Sequence, residues 1–180
     1  MTSADGKTPA PLLMAPPAGS SSVESNPQTA VYLHPAQMHA ATAPCAIRTL
    51  LGSCVAVCLW DPGARVGGAV HYLLPRGRHS NGETGRYGTL AIPALIRALC
   101  ALGASRAALR AKLFGGARVL PALHPVNGAS LGDHNAAVAR ELLAAENVPI
   151  IGSDLGGDYG RRVLFHVEDG AAWVWRLRGS

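Results

Sequence analysis

The chain has 180 residues, a formal charge of +5, 48% hydrophobic residues and 15% charged ones. That supplies enough apolar material for one domain's core and too little charge for a disordered chain or a coiled coil. No apolar run approaches the ~20 residues of a membrane span, because Arg, Asp, Pro or Gly interrupts each stretch. The charge is uneven: residues 1–44 carry a net −1 and residues 45–180 the remaining +6. The arginines are scattered and aromatic residues make up 5%, which argues against a nucleic-acid platform. A mildly basic surface that meets an acidic protein accounts for the charge as well. The N-terminus lacks a basic flank followed by an apolar stretch. Cys45, Cys54, Cys58 and Cys100 have irregular spacing, which suits reduced thiols, so the expected compartment is the cytoplasm.

Residues 1–28 read as a disordered tail, rich in Pro, Gly and Ser with no apolar period, and residues 29–180 as the folded domain. Residues 29–34 alternate as a first strand, and 47–51 lead into Gly52-Ser53-Cys54. Residues 55–60 form a strongly β-like run closed by Asp61-Pro62-Gly63, with 66–74 as its hairpin partner. A polar loop covers 75–86. Residues 89–102 read as a helix: Ile92, Leu95, Ile96, Leu99 and Leu102 share one stripe, Pro93 falls in the first turn, and Gly103 caps the end. Residues 107–114 suit a strand. A second helix over 133–146 starts with Asp133 as its cap. Strands follow at 148–151, 163–167 and 172–177, the last two joined by the hairpin signal Glu168-Asp169-Gly170. This order predicts an α+β fold with mostly antiparallel sheet and no regular βαβ winding. No G-x-G-x-x-G follows a strand, so a dinucleotide fold is not expected.

Cys54 stands where a glycine-containing turn meets a strand. Such a bend can present a thiol and free nearby N–H groups, as a nucleophile and an oxyanion hole require. A lone cysteine is also an ordinary small core residue. His71 lies on the predicted partner strand. A turn centred near Pro62 and Gly63 pairs residues whose numbers sum to about 125, which places Cys54 directly opposite His71, with Cβ atoms ~5 Å apart. The alternative is a structural histidine beside a buried thiol. Cys58 reads as core. A redox pair of Cys54 and Cys58 is a third reading, strained because i and i+4 on one strand are too far apart. No second cysteine pair matches Cys54/Cys58, and the other histidines show no ligand spacing, so no metal is expected.

The run TLLGSCVAVCL at residues 49–59 resembles the signature of the chemoreceptor glutamine deamidase family, CheD. The likeness continues through Asp61-Pro62, Gly67-Gly68, His71, Leu74-Pro75, Arg86-Tyr87-Gly88 and residues 111–117. It resumes at Gly132 with Asn135, at Asp154-Leu155-Gly156-Gly157, and at Gly160 to Val163 with Phe165. His134 departs from the family, which commonly has Arg there. The resemblance implies a layered α/β sandwich of mostly antiparallel sheets with flanking helices, akin to the deamidating domain of certain bacterial toxins. It also implies an amidohydrolase that converts receptor glutamines to glutamate, with Cys54 and His71 as catalytic residues and Thr49 as the third member. From the residues themselves, Ser53 and Gly52 are candidates to support the oxyanion, and Gly115 and Gly116 read equally as a substrate-side loop or a tight strand-ending turn. No cofactor is implied. The implied partners are chemoreceptor cytoplasmic helices and a CheC-type chemotaxis phosphatase, with no nucleic acid and no membrane insertion. The alternative function is a non-catalytic module that binds and regulates that phosphatase.

Overall fold

A strand buried along its whole length must lie between two layers, and residues 55–61 form such a strand. The computed structural model describes residues 12–14, 30–78, 84–118 and 128–177. Through them run β1 (Leu12–Met14), β2 (Ala30–Tyr32), β3 (Gln37–Thr42), β4 (Ala46–Leu51), β5 (Val55–Asp61), β6 (Val66–Tyr72), α1 (Gly88–Ala101), β7 (Arg110–Gly115), α2 (Leu131–Ala145), β8 (Ile150–Leu155), β9 (Gly160–His166) and β10 (Ala172–Leu177). The strands make two five-stranded sheets, ordered β1-β10-β9-β4-β2 and β3-β6-β5-β7-β8. Both helices lie against the second sheet, so the layers are helices, sheet, sheet. The fold is α+β. Its three parallel pairings, β1·β10, β2·β4 and β7·β8, each add an edge strand, and the other pairings are antiparallel.

The period-2 alternation of β5 divides the core. Val55, Val57 and Leu59 join Ile92, Leu95 and Leu99 beneath the helices. Ala56, Cys58 and Trp60 turn the other way and meet Ile47, Leu51, Phe165 and Val174 of the facing sheet. Burying these side chains on both faces of one strand contributes roughly 1.5–3 kcal/mol per large residue.

Several expectations change in detail. Within the segment expected to be tail, Leu12–Met14 runs parallel to β10; the rest of residues 1–28 lies outside the described residues, as do 79–83 of the expected loop. Strand β3 has no counterpart in the reading by pattern. Its sequence QMHAAT has little β preference, and it is held by antiparallel pairing to β6. The first strand is only three residues long. Residues 106–108 form a 3-10 turn before β7 begins at Arg110. Pro93 stands in the second turn of α1, whose start is Gly88. Gly103 closes that helix at φ 101°, with Ala104 N donating to Leu99 O and Gly103 N to Cys100 O, a Schellman arrangement. The cap of α2 is Ser130, not Asp133: Asp133 is three residues inside and returns a bond to the Ser130 N–H. A capping box satisfies two helix-end donors at once.

The hairpin register also differs. Val66 pairs with Asp61, so paired numbers sum to 127 and Ala56, not Cys54, stands opposite His71. Four residues fill the loop. The Asp61 carboxylate accepts from Gly63 and Ala64, Arg65 N donates to Asp61 O, and Arg65 takes a left-handed φ of 55°.

Replacing Ser130 by Ala should lower stability to urea by about 1 kcal/mol, with Asp133→Asn losing less because the Ser130 cap remains.

Candidate active site

Thr49 on β4 and His71 on β6 belong to different sheets, and both point into the space between them. Thr49 is 4% exposed and His71 1%. Their side chains meet, Thr49 Oγ1 to His71 Nδ1, at 2.9 Å. The same hydroxyl donates to Leu33 O at 2.7 Å. A threonine hydroxyl has one proton. With that proton on Leu33, the oxygen must accept from the ring, so Nδ1 carries the hydrogen. The neutral imidazole therefore keeps its lone pair on Nε2, which has no hydrogen-bond partner among the described residues. Burial pushes the His71 pKa down to about 4, with the Leu33 carbonyl opposing the shift and nearby His34 adding to it. The ring is thus neutral near pH 7.

Cys54 is half-buried and packs against the inter-sheet core. It lies two residues before Ala56, the residue opposite His71. Cys54 and His71 are therefore diagonal neighbours on one face, where spacings are about 7–8 Å between backbones, and no hydrogen bond joins them. Burial raises the Cys54 thiol above its ordinary range, and its own backbone N–H opposes this. The resting pair is a neutral thiol and a neutral imidazole.

The turn that carries Cys54 is held by its carbonyls. Gly52 O accepts from Ala117 N at 2.8 Å, Ser53 O from Asn135 Nδ2 at 3.1 Å, and Cys54 O from Gly116 N at 2.8 Å. The N–H groups of Ser53 and Cys54 have no backbone or side-chain acceptor elsewhere among the described residues. Gly115 makes the close approach possible. Its φ is 104°, and a Cβ there would stand 2.2 Å from Cys54 O. Gly115 and Gly116 thus form the wall against which the Cys54 turn rests.

Asn135 was not among the sequence-derived site residues. It is fully buried, and Nδ2 also donates to Leu73 O at 2.9 Å, while its backbone carbonyl accepts from Tyr72 Oη at 2.5 Å. It ties α2 to both the Cys54 turn and the end of β6. The signal available was a polar side chain on the apolar stripe of a helix, in phase with Val138, Ala139 and Leu143. A second unread element is the buried pair Asp154 and Arg161, which joins β8 of one sheet to β9 of the other. Arg161 Nη2 reaches Asp154 Oδ1 at 2.7 Å and Gly156 O at 2.8 Å. Gly156 N then donates to Gly115 O, and Arg118 N to Gly157 O. The pair so braces the loop behind Gly115.

Cys58 is fully buried and its thiol is pushed up to about 12, consistent with core. Cys45 is likewise buried with a raised pKa. Among the described residues no three His, Cys, Asp or Glu side chains converge as metal ligands. A cavity of about 1160 Å³ lies at the opposite end of β5, between Trp60, Arg110, Arg140 and Glu168. It shares no lining residue with Cys54, His71 or Thr49, so side-chain chemistry and not cavity size singles out the site. No described helix is long and apolar enough to cross a membrane.

The chain is thus a two-sheet sandwich in which a turn-borne cysteine lies diagonal to an imidazole whose tautomer is set by a threonine. Residues 73–176 match the family model described as CheD chemotactic sensory transduction. The chain is 47% identical over 163 residues to the probable chemoreceptor glutamine deamidase CheD 1 of Anaeromyxobacter dehalogenans, covering 91% of this chain and 94% of that one. It is 40% identical over 139 residues to the probable chemoreceptor glutamine deamidase CheD of Sulfurimonas denitrificans, covering 77% and 88%. The chain belongs to the CheD family. Among solved structures it is similar to Neisseria meningitidis protein NMB0706, at 12% identity and a TM-score of 0.46 over 83% of this chain and 76% of that one.

The depressed His71 pKa sets an acid sensitivity. The unfolded ring titrates near 6.5 and the folded one near 4, so between these values the unfolded chain binds the extra proton. Stability is full above pH 6.5 and falls by about 3 kcal/mol on acidification to pH 4. Urea unfolding across that range should show the slope, and His71→Gln should flatten it. Gly115→Ala and Gly103→Ala both force alanine to a φ near 100°, but only Gly115 meets a backbone atom within 4 Å. Gly115→Ala should therefore lose more than the ~1 kcal/mol of the conformational penalty alone and alter the alkylation rate of Cys54, whereas Gly103→Ala leaves that rate unchanged.

Proposed function

We propose that this protein is a protein-glutamine deamidase that hydrolyses glutamine side chains on the cytoplasmic helices of chemoreceptors, with Cys54 as nucleophile and His71 as general base. The observation that carries this reading is the unpartnered Nε2 of a buried imidazole beside a cysteine. Leaving such an acceptor unsatisfied costs about 1–3 kcal/mol. A binding module has no use for that cost, whereas a general base needs a free lone pair. Family membership and the names of the two relatives support the substrate class.

In this mechanism Nε2 removes the Cys54 proton as sulfur attacks the carboxamide carbon. Because both groups rest neutral, proton transfer accompanies attack instead of preceding it. Substrate entry closes the diagonal gap between the two side chains, a contact that tightens in the reacting complex. The carbonyl oxygen becomes an oxyanion held by the N–H groups of Ser53 and Cys54. The imidazolium returns its proton to the leaving nitrogen, the C–N bond breaks and ammonia departs. Water, deprotonated by His71, then attacks the thioester carbon; the C–S bond breaks, the thiolate recovers the proton, and glutamate is released. Thr49 holds the ring so that Nε2 faces the sulfur throughout.

Incubation with a receptor cytoplasmic fragment, followed by mass spectrometry, should show glutamine converted to glutamate by the wild type. Cys54→Ala should show none, and His71→Ala should be slower by about 10²–10⁴-fold. Thr49→Val should lose less than His71→Ala. The acid limb of the rate profile should fall below the usual histidine range, toward 4. Conversion by Cys54→Ala at the wild-type rate would overturn the mechanism.

A further inference from the structure

Both helices cover one sheet, and no described element covers the outer face of β2-β4-β9-β10. That face is not an ordinary polar surface. Leu50 is 51% exposed and Tyr32 44%, and Trp173 and Trp175 alternate outward on β10, each half-buried. Cross-strand pairing sets two rows, Leu50–Arg162–Trp175 and Arg48–Leu164–Trp173. The Arg162 guanidinium lies 4.6 Å from the centre of the Trp175 ring, and Tyr32 stands beside Arg48.

The charge on the strands of this face has one sign. None of these four strands contains Asp or Glu. Arg76, Arg106, Arg118, Arg161 and Arg176 each pair with a carboxylate. Arg48 and Arg162 are exposed and have no such partner among the described residues. Aromatic and Arg side chains are the usual anchors of protein interfaces. Two unpaired cations repel a second copy of the same face. They are also few for a phosphate backbone, whose binding rests on many such contacts. An acidic protein surface with an apolar ridge complements them.

The face adjoins the candidate active site. The Leu50–Arg162–Trp175 row ends one residue before Leu51, and Cys54 follows three residues later. Four residues span at most about 14 Å. We propose that the outer face of β2-β4-β9-β10 is a docking surface for an acidic protein substrate, which it holds alongside the Cys54 turn. This rests on the reading of the chain as a deamidase of protein glutamines.

The test measures binding of a negatively charged receptor cytoplasmic fragment to full-length protein carrying Cys54→Ala, separately from turnover by protein with Cys54 intact. Arg48→Glu with Arg162→Glu should weaken binding at low salt by about tenfold or more and raise KM with kcat unchanged. Arg48→Lys with Arg162→Lys should restore most of the affinity. The rate of Cys54 alkylation in the Cys54-intact reversal variant should equal that of wild type, which shows the fold and site intact. Wild-type affinity for the reversal variant would overturn the proposal. So would a short single-stranded DNA that binds the wild type and displaces the fragment, or self-association through Trp175. If the fragment binds through this face but no glutamine is converted, the docking surface stands and the deamidase reading fails. If glutamine is converted and the reversal variant behaves as wild type, the reverse holds.

Discussion

One hydroxyl proton organises the site. Thr49 Oγ1 can give it to a single acceptor, and Leu33 O takes it. The hydroxyl is then left to accept from His71 Nδ1, and the ring's lone pair is placed on Nε2. The bond crosses from one sheet to the other, so the separation of the sheets sets its length. Packing density between the sheets therefore controls an acid–base property. Ile47, Leu51, Phe165 and Val174 around it are buried, and their packing keeps water from the ring. The same exclusion lowers the His71 pKa, so tautomer and charge state come from one arrangement.

The nucleophile's turn obeys a different logic. Its three carbonyls are spent on Gly116 and Ala117, in the segment after β7, and on Asn135 of α2, and its N–H groups have no acceptor elsewhere among the described residues. A turn held by acceptors leaves donors available, which is what an oxyanion needs. The partners are in turn held by Gly115 at its positive φ, by Asn135, and through the Gly156–Gly157 loop by the buried Asp154–Arg161 pair. A buried ion pair is a weak source of stability but geometrically demanding. Here it joins the two sheets at the end where Cys54 lies, as the Thr49–His71 bond does further in.

The sandwich also divides the molecule's surfaces. One sheet is capped by α1 and α2, and the other presents Trp173, Trp175, Leu50 and two arginines without a carboxylate partner among the described residues outward. The strand alternation that sends Thr49 inward sends Arg48 and Leu50 outward. Strand β4 thus carries the residue that orients His71 on one side and the docking residues on the other.

Much of this was legible before any coordinates. The all-apolar run of β5, the stripe of α1 with Gly103 after it, and the Gly-Ser-Cys turn are local signals, written in period, capping and glycine chemistry. They located most of the elements, the α+β class and the Cys54 and His71 candidates; Thr49 and the layered sandwich came from the family resemblance. The register was not local: it depended on a four-residue loop with Arg65 left-handed, and that shifted Cys54 from opposite His71 to diagonal. Strand β3 was invisible because its residues gain strand structure only from β6. Asn135 acquired meaning only when distant segments met, since a buried polar group is defined by partners that sequence spacing does not show; Asp154 and Arg161 are only seven residues apart, but their pairing became a brace because β8 and β9 lie in different sheets. The residue types that make the chemistry available are therefore set by the sequence alone. Their protonation, orientation and shared burial were decided by how the two sheets close on one another.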